Sequence, residues 1–120
     1  MLRFQRYTIG HAWQSDFGRP DHSEEEFLYN TKYSPLHNVK QNDHCPSIMV
    51  LTADHDDRVS PHHALKFAGE IQNVHGDKTD QPLLLRVEMK AGHGHGKPMS
   101  KIIEEQVDIY SYLALTLGIE

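Results

Sequence analysis

The chain has 120 residues, 38% of them hydrophobic, and a formal net charge of −5 with acids and bases interspersed. That length suits one domain, and a mean hydropathy of −0.62 with apolar runs no longer than IMVL leaves no segment able to span a membrane and no basic stripe for nucleic acid. The N-terminus has no continuous apolar stretch with a small-residue cleavage site, so no signal peptide is expected, and the single Cys45 can form no internal disulfide, which suits a reducing compartment.

In chain order, residues 1–22 read as irregular, punctuated by Gly10, Gly18 and Pro20. Ser23-Glu24-Glu25-Glu26 fits a capping box, with Ser23 at the N-cap and Glu26 three positions on. A helix over about residues 24–32 should follow and stop before Ser34-Pro35, because the residue ahead of a proline avoids the helical region. Residues 33–46 read as a loop. PSIMVLTA, 46–53, is apolar without alternation, the pattern of a strand buried on both faces. Ser60-Pro61 marks a helix start. Ala64, Leu65, Ala68, Ile71 and Val74 then form one helical face, and Gly76 is the expected stop. PLLLRVEM, 82–89, is a second strand with Pro82 at its first position. Residues 99–117 form the longest helix, with Ile102, Ile103, Val107, Tyr110, Leu113, Ala114 and Leu117 as its stripe and Gly118 as its end.

Strand, helix, strand, helix is a βαβ crossover, which predicts two parallel strands joined right-handedly. A parallel sheet normally needs more strands and cover on both faces. The expected fold class is therefore α/β, with residues 1–120 as part of one larger domain and no second domain. In open α/β sheets, ligands bind beyond the carboxyl ends of the strands. The first strand runs into Asp54-His55-Asp56-Asp57-Arg58 and the second into Ala91-Gly92-His93-Gly94-His95. Neighbouring strands lie about 4.8 Å apart, so an aspartate of one loop can hydrogen-bond a histidine of the other. A carboxylate that fixes an imidazole tautomer is the rear half of a nucleophilic triad. Ten histidines is a high count, although for most of them an exposed surface position suffices. Asp54 and Asp57 can be read as loop carboxylates, Arg58 as their ion-pair partner and Trp13 as core.

YTIGHAW, KYSPLHNVK, LTADHDDRV and AGHGHGKP, in this order, resemble the C-terminal part of the catalytic domain of the prolyl oligopeptidase family, cytosolic serine peptidases of the α/β-hydrolase fold. The resemblance runs over nearly the whole chain. It implies a proline-specific serine endopeptidase that cleaves short peptides after proline, without a cofactor and without a nucleic acid or membrane partner. Position by position, it makes Asp56 the triad aspartate and His93 the general base. Arg58 becomes the arginine that binds the substrate backbone, and Trp13 the ring that stacks on proline. Val59 and Ile9 line the same pocket, and Phe17 stands where the family usually has tyrosine. Gly92 and Gly94 would let the loop turn sharply, and His95 would be a neighbour without a catalytic role. QNDHCPS looks like a shortened loop. The family's serine elbow lies upstream of residue 1, and no G-x-S-x-G is present, so the chain alone is expected to be inactive.

Two other classes of function fit the residues. His93, His95 and His55 with Asp54 or Asp56 could form a zinc site. Alternatively, an open strand edge could dock on another chain as a regulatory or binding piece.

Overall fold

The computed structural model describes residues 1–41, 44–94 and 96–119. The N-terminal stretch, expected to be irregular, is a run of short helical turns: 3-10 segments at Phe4–Arg6 and Thr8–Trp13, then α1, Gln14–Phe17. Gly10 makes this possible, because a Cβ there would stand 2.1 Å from the Phe4 carbonyl oxygen.

Helix α2 spans Glu24–Tyr33 and ends where expected, with Ser34 extended ahead of Pro35. Only half of the capping box forms. Ser23 Oγ accepts from the Glu26 N–H at 3.3 Å, whereas the Glu26 carboxylate accepts from the Arg19 N–H at 2.7 Å. The Ser23 N–H is already committed to the Arg19 carbonyl at 3.2 Å. Three glutamates in the first turn favour the positive end of the helix dipole. Asn30, buried in α2, donates to the carbonyls of Phe17 at 2.9 Å and Glu26 at 3.0 Å, which ties α2 to α1. The stretch read as loop contains one further 3-10 turn, Pro35–His37.

Strand β1 (Ile48–Ala53), helix α3 (His62–His75), strand β2 (Leu83–Glu88) and helix α4 (Met99–Leu117) follow in the expected order. The strands pair in parallel from Ile48↔Leu83 to Ala53↔Glu88. Side chains alternate along a strand, so Ile48, Val50, Leu83 and Leu85 share a face with α3. Gln72 of α3 donates to the Leu83 carbonyl at 2.8 Å, and Ile48, Phe67, Ile71 and His75 line one cavity of about 300 Å³. Ala68 and Ile71 are buried here, and burying a side chain such as Ile71 contributes roughly 2 kcal/mol. Leu65, expected on this stripe, is 44% exposed; the buried face runs instead through Ala68, Ile71 and His75.

The opposite face carries Leu51, Leu84, Arg86 and Glu88, and α4 meets it through ion pairs rather than apolar contact. Arg86 reaches Asp108 at 2.6 Å and Glu88 at 2.9 Å, Lys101 reaches Glu88 at 3.1 Å, and Lys97 pairs with Glu105. Leu51 and Leu84 remain exposed. The expectation of a strand buried on both faces therefore fails on this side, because among the described residues the sheet has two strands and leaves Leu51 and Leu84 42% and 44% exposed. The α4 stripe is bare for the same reason, with Ile103, Val107 and Tyr110 more than half exposed.

One helix-end reading changes. Ser60 does not cap α3 with its side chain. Its hydroxyl bonds His62 Nδ1 at 2.8 Å, while its carbonyl accepts from the His63 N–H at 3.1 Å. Gly76 ends α3 as expected, but it stays right-handed, at φ −55°, and so without a left-handed cap. Gly118 is left-handed, at φ 64°, and Ile119 N–H returns to the Ala114 carbonyl at 2.9 Å. This is the bond pattern of a Schellman end. The architecture is an α/β unit, a portion of an α/β-hydrolase fold.

Candidate active site

Both strands deliver their carboxyl-end loops to one edge. The Asp54 N–H donates to the Glu88 carbonyl at 3.0 Å and the His55 N–H to the Ala91 carbonyl at 3.1 Å, so the pairing continues past the strands. From this platform Asp56 and His93 meet. His93 Nδ1 lies 2.8 Å from Asp56 Oδ2.

Asp56 is held on its other oxygen too. Oδ1 accepts from the N–H groups of Arg58 at 2.9 Å and Val59 at 2.8 Å. Its side chain is 10% exposed. Burial pushes the carboxyl up, but the His93 bond and the two backbone N–H groups outweigh it and hold the group below the usual carboxylate range. An ionised Asp56 accepts only, so Nδ1 carries the proton and Nε2 keeps its lone pair. The His93 ring is 40% exposed, and among the described residues Nε2 has no hydrogen-bond partner. The pair thus presents a basic nitrogen to solvent from an oriented ring, the arrangement that general-base chemistry requires.

The loop around His93 turns at Gly94 as expected, but not at Gly92. Gly94 and Gly96 have positive φ, at 116° and 76°, and so does the non-glycine Lys90, at 54°. Gly92 has ordinary angles; it faces the His55 carbonyl, 3.7 Å from where a Cβ would sit. His95 lies outside the described residues, as do Asn42 and Asp43 of the QNDHCPS loop.

Arg58 is exposed, and its backbone is fixed at both ends. Asp56 takes its N–H, and the single Thr8 hydroxyl proton is shared between its carbonyl oxygen and that of Tyr7, each 2.8 Å away. Thr8 itself sits at φ 50°, an uncommon angle for a β-branched residue that costs on the order of 1–3 kcal/mol. Among the described residues the Arg58 guanidinium makes no ion pair. The reading of Arg58 as a partner of the neighbouring acids therefore does not hold, and its charge is available to a ligand.

Of the remaining sequence-derived candidates, Val59 meets the pair through its N–H, which donates to Asp56 Oδ1. Ile9 and Val59 are exposed, at 40% and 38%. Trp13 is half-buried at the end of the Thr8–Trp13 turn. Phe17 packs edge-to-face on Phe4 with ring centroids 5.7 Å apart and is 42% exposed. Tyr7 stacks on His62 at 5.2 Å, which fastens the N-terminal turns to the start of α3. Among the described residues no three metal-binding side chains gather, and no helix is long and apolar enough to cross a membrane.

The sequence reading passed over Thr8 and took Asp54 as an ordinary loop carboxylate. Asp54 Oδ1 accepts from the Ala91 N–H at 3.2 Å and lies 2.7 Å from His55 Nδ1. A signal was present, because residues 54 and 91 are offset by the same 37 positions as residues 56 and 93.

The sequence pattern of the prolyl oligopeptidase family matches residues 1–120. A prolyl endopeptidase of Dictyostelium discoideum is 48% identical over 121 residues, covering 100% of this chain and 16% of that protein. One of Elizabethkingia meningoseptica is 42% identical over 120 residues, again covering 100% of this chain and 17% of the relative. A solved structure of prolyl oligopeptidase B from Galerina marginata, bound to a 35mer hydrolysis and macrocyclization substrate, superposes with a TM-score of 0.89 at 35% identity, over 100% of this chain and 16% of that one. This chain thus spans about a sixth of the length of the relatives it matches, and on the match along its whole length it belongs to the prolyl oligopeptidase family.

Proposed function

We propose that these 120 residues carry the acid and the base of a proline-specific, serine-type endopeptidase site, as one part of a single catalytic domain of a cytoplasmic enzyme that cleaves short peptides after proline. The nucleophilic serine lies in a segment other than this one, and the chain alone has no activity. The observation that carries this reading is the Asp56–His93 hydrogen bond of 2.8 Å at the carboxyl ends of two adjacent parallel strands.

Its chemistry follows from the geometry. His93 Nε2 takes the serine proton as the oxygen attacks the scissile carbonyl, and the resulting imidazolium is stabilised by Asp56. The proton then passes to the leaving amine, and water repeats the sequence on the acyl-enzyme. Arg58 offers its free guanidinium to the peptide backbone. Trp13, with Ile9, Phe17 and Val59, offers apolar surface to the proline ring; an indole face suits such a rigid ring.

A spacing supports the assignment. In three structures of the Galerina marginata protein, an aspartate, a histidine or a serine is replaced by alanine. The aspartate and histidine so replaced stand 37 residues apart, as Asp56 and His93 do. The serine precedes that aspartate by more residues than precede Asp56 here.

The test is a graft of this chain in place of the matching segment of the Dictyostelium prolyl endopeptidase, assayed on a fluorogenic peptide with proline ahead of the cleaved bond. Activity that vanishes in both H93A and D56A, with the fold retained, is expected. A folded H93A graft with undiminished activity overturns the reading.

A further inference from the structure

The Asp56–His93 pair does not stand on its loops alone. One step closer to the sheet, Asp54 and Ala91 are joined in the same way, with the Ala91 N–H donating to Asp54 Oδ1 at 3.2 Å. Each bond links residues 37 apart, so the two form successive rungs between the same two loops. Asp54 is also anchored from behind, because its own N–H belongs to the Glu88 carbonyl at 3.0 Å. The Asp54 carboxylate is therefore an extension of β1, the strand of known register, reaching across to the chain that carries the base.

What it holds is a stretch that does not hold itself. Lys90 lies at φ 54°, a conformation L-residues with a Cβ adopt rarely. Beyond Ala91 the loop runs through Gly92, His93 and Gly94, and Gly94 is at φ 116°. Glycine-rich backbone of this kind has little conformational preference of its own. Ala91 is its last buried residue, at 8% exposed, and it is clamped on both polar groups, its N–H by Asp54 and its carbonyl by the His55 N–H at 3.1 Å. His93 follows two residues later. Any shift of Ala91 passes directly into the distance between His93 Nδ1 and Asp56.

We propose that Asp54 is a positioning residue of this site: its carboxylate clamps Ala91 to the end of β1 and thereby sets the reach of His93 to Asp56. The inference rests on the reading of Asp56 and His93 as acid and base. Asp54 stays ionised in this role. The His55 ring foremost, then the N–H groups of Lys90 and Ala91, hold its carboxyl far below the usual carboxylate range against the opposing effect of burial. A carboxylate also outperforms an amide here. It accepts from the Ala91 N–H and His55 Nδ1 on one oxygen and has no N–H of its own to misplace.

The test uses the graft described above with D54A and D54N, each normalised to the fraction of enzyme that reacts with a fluorophosphonate titrant, and with H93A, assayed per mole of folded protein. D54A is expected to lose about 10- to 100-fold in kcat, the scale of an ångström-sized misplacement, with KM changed less than about twofold. D54N keeps an acceptor oxygen for Ala91 and is expected to recover most of that loss. The downfield imidazole N–H resonance of the Asp56–His93 pair should broaden or move in D54A and return in D54N. If D54A folds and its kcat per titrated site equals the parent's while H93A is dead, the positioning role is wrong and the acid–base assignment stands. If H93A is active, the assignment itself fails and this inference with it.

Discussion

The hydroxyl of Thr8 lies 2.8 Å from the carbonyl oxygen of Arg58, 50 residues further along the chain. With the Arg58 N–H held by Asp56 at 2.9 Å, the arginine backbone is pinned on both sides while its guanidinium stays unpaired among the described residues. The backbone is ordered before binding, so only the side chain's own freedom is lost on recognising an acceptor. In the grafted enzyme, R58A is expected to lower kcat/KM for a proline peptide about 10- to 100-fold, the worth of a hydrogen bond to a charged group. R58K should recover only part of it, because lysine lacks the fork. T8V, which removes the hydroxyl and leaves the guanidinium, should cost about threefold to tenfold. Unchanged kinetics in R58A would remove Arg58 from the site.

Asp56 makes a second expectation sharp because its two oxygens have separate duties. Oδ2 serves His93, and Oδ1 serves the N–H groups of Arg58 and Val59. An asparagine satisfies the backbone through its carbonyl and turns its NH₂ toward Nδ1. That forces the proton onto Nε2, the nitrogen that has to be basic. D56N is expected to retain the melting temperature within a few degrees and to lose on the order of 10⁴-fold in kcat, as wrong-tautomer substitutions in such triads do. Calorimetry and steady-state kinetics on one preparation check both halves. A loss below about tenfold would show that the carboxylate is not setting the tautomer.

The βαβ order and the ends of α2 and α4 were legible because each rests on local rules, and the topology allowed an aspartate of one loop to meet a histidine of the other; that these are Asp56 and His93 came from the family resemblance. Ser34-Pro35 stops a helix, Gly118 closes one, and parallel neighbours bring their loops to one edge. The errors share a different cause. Ser60, Glu26 and Leu65 obey local preference only while nothing competes. Ser60 Oγ is taken by the His62 ring and Glu26 by the Arg19 N–H. Leu65 lies on a part of α3 that stays 44% exposed. Lys90, at φ 54°, violates local preference outright and is held there by Asp54 and its surroundings. Apolar periodicity carries no trace of such polar tertiary bonds, and for the same reason it gave no sign that α4 approaches β2 through Arg86 and Lys101.

The bare stripe of α4 has a consequence in solution. Ile103, Val107 and Tyr110 are 56%, 57% and 66% exposed, on a helix attached to the sheet by ion pairs. A contiguous apolar face of this kind marks a surface that is covered when the protein functions. The 120-residue chain alone is expected to self-associate at micromolar concentration and to enhance the fluorescence of an apolar dye. The double substitution V107K/Y110K should reduce both, as read by sedimentation velocity and dye titration. A monomeric, dye-silent parent chain would show that α4 lies down on its own sheet in solution.

Acid should undo the site through its carboxylates, and the sign follows from the direction of each shift. Burial opposes ionisation of Asp56 but loses to the His93 bond and the backbone N–H groups. The Lys101 and Arg86 bonds hold Glu88 below the usual range, and Asp54 is lowered chiefly by His55. A carboxyl whose folded value lies below its unfolded one binds fewer protons when folded, so the native state gains stability above the unfolded value of about 4. That gain disappears as pH falls through the lowered folded values. The urea midpoint of the grafted enzyme should therefore be flat with respect to these groups above about pH 5 and fall steeply below about pH 4. E88Q removes one lowered carboxyl together with its Lys101 and Arg86 pairs. It should reduce the midpoint at pH 7 and flatten the acid limb, so that parent and variant converge as pH drops. Parallel curves for the two proteins over pH 3–7 would show that Glu88 carries no charge-dependent share of the stability.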